Sequence, residues 1–385
     1  MKRQMRRSVL WVAILASPGC GQPTAATGPN TGGGAAGGGG NVASPACAPP
    51  LAPQLFANAL CVCGDLVDAG NFVVRSAQSG PSGSVGVNGH SKVANHSDVS
   101  GSWVAYGGLE LLGDAELGAN LSTARGARMT GNVSVAGDLR AGQDLEGYGR
   151  LAVGGVLRVG GANRFIGYQE TGAVAGFQSL SGPPCPCADG SIFDVAAAVA
   201  LAKANNANAT IGLPTIGIDH IGLSLLTLPQ GAYFVSGVRT LGATRLRISG
   251  AVSLYLEGSL DQIGAEQIVI DPGATLDLYV SGSVKTVGYA SLGAAADPSA
   301  FRLYVGGSDT LTLSVGAQWF NGSIYAPRAK IVYVGDTTIA GALFCDDLTG
   351  VGQLTIEADL PGGGGSCPSS PTPGQPPVTP TPPIY

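Results

Sequence analysis

The feature that most constrains the fold is a short repeated segment in which apolar residues alternate and a glycine follows. Three copies align clearly, with starts 24 and 25 residues apart: Leu254–Leu260 (LYLEGSL), Leu278–Val284 (LYVSGSV) and Leu303–Asp309 (LYVGGSD). Apolar residues with period two are typical of a β-strand. Glycine permits the sharp bend that must follow each strand. The repeat therefore predicts stacked coils of short parallel strands.

Stacked coils need inward side chains that lie above one another, and Leu256, Val280 and Val305 are the expected inward column. Because parallel crossover connections are almost always right-handed, a right-handed parallel β-helix is the expected architecture. The alternative is a β-sandwich, which also contains many short strands. The recurrent glycine favours the solenoid. Weaker copies of the segment are Tyr233–Arg239, Phe320–Tyr325 and Ile339–Phe344.

The solenoid body is predicted to span residues 50–360, with its clearest repeats in residues 233–345. The amino-terminal half has the same glycine-punctuated runs less regularly, as in Leu151–Gly161 (LAVGGVLRVGG). Residues 191–206 break the pattern because they are rich in alanine and predict one inserted or capping helix. Its start, Ser191 followed by Asp194, resembles a capping box. We expect this helix to cover one end of the solenoid or the junction between two stacks of coils.

Three tyrosines, Tyr255, Tyr279 and Tyr304, occupy equivalent positions in the three clear repeats. If the neighbouring leucines face inward, these tyrosines face outward as an aromatic surface ladder. Such a ladder is a candidate site for a sugar or a protein partner. The other interpretation, which we favour, is that the rings stabilise the sheet through contacts between strands.

Composition narrows the functional classes. The chain has 62 glycines among 385 residues, and charged residues make up only 12% of it. Hydrophobic residues reach 44%, which argues against wholesale disorder. The net charge is −5, and no cluster of Lys and Arg follows the first seven residues. Nucleic-acid binding requires such a basic surface, so it is not expected.

Residues 1–20 have the layout of a bacterial signal peptide. Basic residues come first, and the apolar run Ser8–Ala16 that follows is too short to span a bilayer. The end of this segment resembles a lipobox, in which Cys20 would be acylated and anchor the chain to a membrane. Ser17 and Pro18 depart from the usual lipobox, and the alternative is an ordinary cleaved signal peptide. If Cys20 is acylated, we expect an outer-membrane lipoprotein that faces the periplasm or the cell exterior.

Two further segments lack core-forming residues. Residues 21–49 are rich in glycine and predict a flexible linker. Residues 361–385 are rich in proline and predict an extended, disordered tail, which is either a spacer or a recognition peptide.

The chain has eight cysteines, and export would place them in an oxidising compartment. We expect Cys61 and Cys63 to form disulfides with Cys185 and Cys187. A four-thiolate zinc site is the alternative, although its usual C-x₂₋₄-C spacing is wider than C-x-C. If Cys20 is acylated, an odd number of thiols remains. The cysteines that flank the body and could clip its ends are Cys47 and Cys367.

Enzymatic β-helices need clustered carboxylates beside a basic residue. The pairs that come nearest are Asp346 with Asp347, and Asp271 and Asp277 with Arg302. Asp346 and Asp347 are adjacent, so on a strand they point to opposite faces. Neither group makes a convincing catalytic arrangement, and turn or surface roles are favoured for both. The chain is therefore expected not to be an enzyme, and no cofactor or metal is expected. The chain has three histidines, His90, His96 and His220. His90 and His96 lie near Asp98 in a polar stretch, which is more typical of a loop than of a metal site.

Four segments carry a family resemblance: Cys61–Leu66 (CVCGDL), Val85–Gly89 (VGVNG), Pro183–Cys187 (PPCPC) and Asn321–Ala329 (NGSIYAPRA). They resemble exported proteins of Gram-negative bacteria whose body is similar to the β-helical domain of some pilus-assembly proteins. The likeness to the polymer-forming bactofilins is more distant. The resemblance implies a surface or envelope role and supplies no catalytic residues.

These observations together predict a non-enzymatic envelope lipoprotein with a structural or adhesive solenoid. Its expected partners are the membrane, through the lipid, and a surface polysaccharide or another envelope protein. Two alternatives stay open. One is a carbohydrate-active or polysaccharide-binding β-helix, and the other is a scaffold that self-associates through the ends of the solenoid.

Overall fold

The computed structural model describes residues 55–76, 83–177, 179–214, 225–236, 245–263, 268–287, 292–293, 297–313 and 318–358. Several predictions concern residues outside these ranges and stay predictions. They are the export signal at 1–20 with Cys20, the linker at 21–49, the tail at 361–385, Cys47, Cys367 and His220.

The described residues form a parallel β-solenoid, as the repeats predicted. Strands of successive coils pair in parallel, which excludes the antiparallel β-sandwich. The first stack of coils contains β1 (Leu60–Val62), β2 (Leu66–Asp68), β3 (Asn71–Ser76), β4 (Val85–Val87), β5 (Ser91–Ala94), β6 (Ser97–Val99), β7 (Trp103–Ala105), β8 (Leu109–Leu112), β9 (Ala115–Leu117), β10 (Leu121–Thr123), β11 (Ala127–Val135), β12 (Leu139–Ala141), β13 (Leu145–Val159) and β14 (Asn163–Gly176).

The second stack follows later in the chain and includes the three aligned repeats. Its strands are β15 (Leu225–Leu228), β16 (Gly231–Val235), β17 (Arg245–Ile248), β18 (Ala251–Leu256), β19 (Leu260–Ile263), β20 (Ile268–Ile270), β21 (Thr275–Val280), β22 (Val284–Val287), β23 (Leu292–Gly293), β24 (Phe301–Val305), β25 (Leu311–Leu313), β26 (Gln318–Asn321), β27 (Ser323–Ala326), β28 (Ile331–Val334), β29 (Thr337–Ala340), β30 (Leu343–Cys345), β31 (Leu348–Val351) and β32 (Gln353–Ala358).

Each coil of the first stack has three sides. We name them side A (β1, β4, β7), side B (β2, β5, β8) and side C (β3, β6, β9). Val85, Trp103, Leu121 and Leu139 are register partners on side A, one coil apart. Between β4 and β13 the first stack therefore has a regular 18-residue coil, seen also in its hydrogen bonds, whereas Leu60 and its partner Val85 in the first coil are 25 residues apart. The expectation that the amino-terminal half is the less regular half was wrong.

The second stack has longer and less uniform coils, because its corners vary in length. Leu254, Leu278 and Leu303 are register partners, as the repeat predicted, and Leu256, Val280 and Val305 form the expected inward column. The next partners on side A are Ile324 and Leu343.

Two of the weaker repeat copies were aligned incorrectly. Gly322 and Gly341 precede the side A strands, whereas the glycine of the clear repeats follows them. The copies at Phe320–Tyr325 and Ile339–Phe344 thus begin one corner too early. Gly237, in the third weak copy, lies outside the described residues.

The spatial order of the stacks differs from their order in the chain. The last coil of the second stack, β30–β31–β32, pairs with the first coil of the first stack, β1–β2–β3. One inner column thus continues from Leu343 to Leu60 and then to Val85. We call this junction the seam. The described chain begins and ends there, and β14 and the β15–β16 coil lie at the two ends of the solenoid.

The chain crosses from one end to the other through residues 179–214, which we call the strap. It contains α1 (Val195–Ala204) and α2 (Asn208–Ile211). The predicted helix at 191–206 is therefore present but shorter. Asp194, not Ser191, caps it, since the Asp194 side chain accepts a hydrogen bond from the Ala197 N–H.

The location expected for this helix was wrong, because α1 packs along the outside of side A against β16, β18 and β21. The segment that follows it covers the end of the inner core. Leu213 is buried in that core, and Ala207 and Ile211 pack against it. Within the described ranges, no helix is long and apolar enough to cross a membrane.

Candidate functional site

The outward tyrosines form a longer column than the sequence indicated. Tyr255 stacks on Tyr279 with ring centroids 4.6 Å apart, and Tyr279 stacks on Tyr304 at 4.5 Å. Register pairing extends this outward column in both directions along side A. Its members in order are Phe234, Tyr255, Tyr279, Tyr304, Tyr325, Phe344, Cys61 and Gly86.

This column is not a surface ladder, which corrects the expectation for Tyr255, Tyr279 and Tyr304. Tyr279 is 8% exposed and Tyr304 is 2% exposed, because the strap lies over them. Phe193 of the strap packs edge-on against both rings, with centroids 6.2 and 6.1 Å away. Burial raises the pKa of Tyr279 and Tyr304 above the usual range. The geometry therefore supports the stabilising role, which was the favoured interpretation.

Two disulfides fix the strap to the first coil. Cys61 bonds to Cys185 and Cys63 bonds to Cys187, each spanning 124 residues of sequence. This is the crosslink expected between the two C-x-C pairs, and it leaves no thiolates there for zinc. Among the described cysteines, Cys345 is the free one. It is buried in β30, and burial raises the pKa of its thiol.

Two asparagines bind the strap to the coils. The side-chain amide of each one both donates to and accepts from the backbone of a single residue, as a neighbouring strand would. The Asn88 amide donates to the Cys185 carbonyl at 3.0 Å and accepts from the Cys185 N–H at 2.9 Å. Asn208 does the same with Phe234, at 2.6 and 2.9 Å. Between these two contacts, the Phe193 N–H donates to the Tyr325 hydroxyl at 2.9 Å. The strap is thus held along its length by groups with specific partners.

The candidate catalytic carboxylates do not converge. Asp271 pairs with Arg247, with Nε 3.0 Å from each carboxylate oxygen. Asp277 pairs instead with Arg302, its register partner one coil away. Asp347 accepts a hydrogen bond from the Asp65 N–H at the seam, 2.8 Å away. Each group therefore connects neighbouring coils.

The histidine region holds no cluster either. Asp98 pairs with Arg75 at 2.7 Å rather than with His90 or His96. In the ranges that the structure describes, no group of three or more His, Cys, Asp or Glu side chains is arranged to hold a metal ion.

A shallow groove of about 650 Å³ follows the corner between sides A and B of the first stack. His90, Asp144 and several corner glycines line it, together with part of an outward column of charges on side B. That column alternates in sign from coil to coil, and Lys92 approaches Glu110 at 3.2 Å. Its members in order are Lys92, Glu110, Arg128, Glu146 and Arg164.

A second column, at the corner between sides C and A, was missed in the sequence. The Ser84 hydroxyl accepts from the Ser102 N–H, and Asn120 Oδ1 accepts from the Asp138 N–H at 2.8 Å. Asp138 Oδ1 in turn accepts from the Val156 N–H, and this bond lowers the pKa of Asp138. A polar residue every 18 positions was the available signal.

One carboxyl group faces the inner core. Asp68 in β2 is 1% exposed, and neither of its oxygens accepts a hydrogen bond of ordinary geometry. The Tyr333 hydroxyl lies near it, because Gly350 between them has no side chain to block that ring. Burial raises the pKa of Asp68 to about 6, against smaller opposing effects of Tyr333 and the Gly70 N–H.

Fold and surfaces together define a β-solenoid protein with a disulfide-fixed external strap and a seam inside its coil stack. A family model described as a domain of unknown function (DUF7305) matches residues 186–360. The match covers most of the strap and the second stack, and it leaves the first stack outside. No curated protein matches the chain, and no solved structure matches it.

Proposed function

We propose that this chain is a non-enzymatic structural or adhesive protein of the bacterial cell envelope, anchored by a lipid on Cys20. The observation that carries the structural role is the use of outward charged and polar side chains. Asp277, Asp271 and Asp347 bind the neighbouring coil instead of meeting in a catalytic group. The described surface of the solenoid is thus organised to hold coils together.

The two disulfides support the location. Such bonds persist in oxidising compartments outside the cytoplasm, which agrees with the export signal predicted at residues 1–20. A surface or outer-membrane site also agrees with the resemblance to exported proteins whose β-helical domain is like that of some pilus-assembly proteins.

The partner in this proposal is a surface polysaccharide or another envelope protein. The groove between sides A and B supports this part, because it carries hydrogen-bonding groups over several coils. In this proposal, hydroxyl groups of a sugar chain contact polar side chains of the lining such as His90, Arg128 and Asp144. The groove runs along the stack, as an elongated ligand would require.

The test is labelling of the full chain with a radioactive fatty acid in a Gram-negative host, followed by membrane fractionation. We expect label and outer-membrane recovery for the natural chain and neither for Cys20→Ala. Cys345→Ala, which removes a buried thiol, is the matched control and should be labelled normally. Label in the Cys20→Ala chain would contradict the anchor. Turnover of a polysaccharide by the purified protein would contradict the non-enzymatic role.

A further inference from the structure

The solenoid ends on an unpaired strand edge at β14. This strand pairs with β13 from Asn163 to Gly176, and no other described strand pairs with it. A free edge of this kind offers N–H and C=O groups to another strand. Apolar side chains stand exposed along it, since Ile166 is 74% and Tyr168 is 57% exposed.

At the opposite end of the solenoid, the strap is hydrogen-bonded to the terminal strand β16. There the edge of β16 is occupied by the strap, because Asn208 bonds both backbone groups of Phe234. The Ala207 N–H donates to the Ala232 carbonyl of the same strand at 2.7 Å. Leu213 also covers the inner core at that end. The strap therefore occupies the β16 part of that end, where β15 pairs with β17 alone among the described strands.

We propose that two copies of this chain join end to end through antiparallel pairing of their β14 edges. The two-fold axis would pass through the corner at Gly167, which has a φ of 129° and separates side B from side C. Two-fold contacts use the same surface on both copies. Because the contact occupies the β14 edge of both copies, it gives a closed dimer.

Complementary side chains support this axis. Rotation about Gly167 exchanges positions three residues before it with positions three residues after it. Arg164 then faces Glu170 of the second copy, and the same pair forms again on the other side of the axis. Ile166 faces Tyr168 of the second copy in the same way. Opposite charges and aromatic–aliphatic pairs are both favourable between antiparallel strands.

The inward positions also match under this rotation. Asn163 and Gln169, which replace the leucines of the coil below, bond to each other across the open end at 3.1 Å. Phe165 fills the space above Gly147 and is 9% exposed. Inward residues of one copy meet inward residues of the other, so no charge enters the core.

The side chains of Arg164 and Glu170 are exposed enough to form an ion pair with a second copy of the chain. Arg164 contacts Asp144 and Glu146 in its own chain, yet its side chain is 61% exposed. Glu170 lies 3.6 Å from Arg150 and is also 61% exposed. A contact made by one coil is small, so we expect a dimer that dissociates reversibly on dilution.

The experiment is sedimentation velocity on the exported chain carrying Cys20→Ala, so that no lipid can cause association. We expect a sedimentation coefficient that rises with protein concentration from that of a monomer to that of a dimer. Arg164→Glu alone and Glu170→Arg alone should each weaken the dimer at least about tenfold, because like charges then face each other.

Mixing these two variants tests the proposed axis directly. In the mixed dimer each reversed charge faces an opposite one, so association should return to about the level of the parent chain. Mixing cannot repair contacts within one copy, which separates this result from a folding defect. Lys92→Glu, which breaks an ion pair of the same column far from the end, is the control and should dimerise normally. A parent chain that stays monomeric, or a mixture no tighter than either variant, would overturn the proposal.

Discussion

At the residue scale, the buried carboxyl of Asp68 is the group most at odds with its surroundings. It lies inside the solenoid with a pKa raised to about 6 from 3.8. A raised carboxyl pKa means that the folded state prefers the neutral acid. Its contribution to stability is therefore greatest below pH 3.8 and is lost as pH rises toward 6.

Asp68→Asn should consequently stabilise the protein at neutral pH. The neutral amide avoids the cost of burying a carboxylate, which is at most about 3 kcal/mol for a shift of this size. Urea unfolding followed by circular dichroism at several pH values measures this. The gain should shrink as pH falls below 6. Asp336→Asn, which makes the same substitution at an exposed position, is the control. An equal effect of Asp68→Asn at every pH would contradict the assignment.

At the scale of elements, the corner between sides C and A depends on side-chain acceptors. Each acceptor receives the N–H of the residue 18 positions later, so it supplies a hydrogen bond between coils where no strand pair exists. The outward column of aromatic rings on side A and the outward column of charges on side B also join neighbouring coils through side-chain contacts. Stacked coils are thus joined by side chains as well as by the backbone ladder.

Asn120→Ala tests one step of this corner column. It removes the acceptor of the Asp138 N–H and should lower the free energy of unfolding by about 1 kcal/mol. Asn120→Asp keeps an acceptor oxygen at the same position and is the matched control. Chemical denaturation of both variants measures the difference, and equal losses in the two would show that the bond is unimportant.

At the scale of the whole solenoid, the seam joins residues that are far apart in the chain. Coil β1–β2–β3 must form on the last coil of the second stack, so the first and second stacks depend on each other. Backbones approach very closely there. A Cβ added at Gly70 would lie 1.5 Å from the Gly352 carbonyl oxygen.

Gly70→Ala should therefore open the seam. We expect a loss of about 3 kcal/mol in unfolding free energy, since the clash is with backbone that cannot move away cheaply. Hydrogen exchange should increase in both β3 and β32. Gly176→Ala, where no atom lies within 4 Å of the added Cβ, is the control and should change little. A Gly70→Ala protein as stable as the control would contradict a tight seam.

The sequence by itself determined the kind of fold. Alternation in Leu254–Leu260 and its aligned copies requires strands, and a glycine at each repeat requires corners, so stacked coils follow from local chemistry. The paired spacing of Cys61 and Cys63 with Cys185 and Cys187 likewise indicated the crosslink that the structure contains. These signals are local or depend on matching spacings, so they are present in the linear sequence itself.

Only the tertiary structure decided what each outward residue contacts. Period two shows that Tyr279 faces away from the core, but the strap residue that packs on it, Phe193, lies 86 positions earlier in the chain. The sequence could not place β1 on β30 either, since nothing in a linear chain marks its first coil as the partner of its last. The open edge at β14 follows from that order, because pairing between distant coils decides which strand is left without a neighbour.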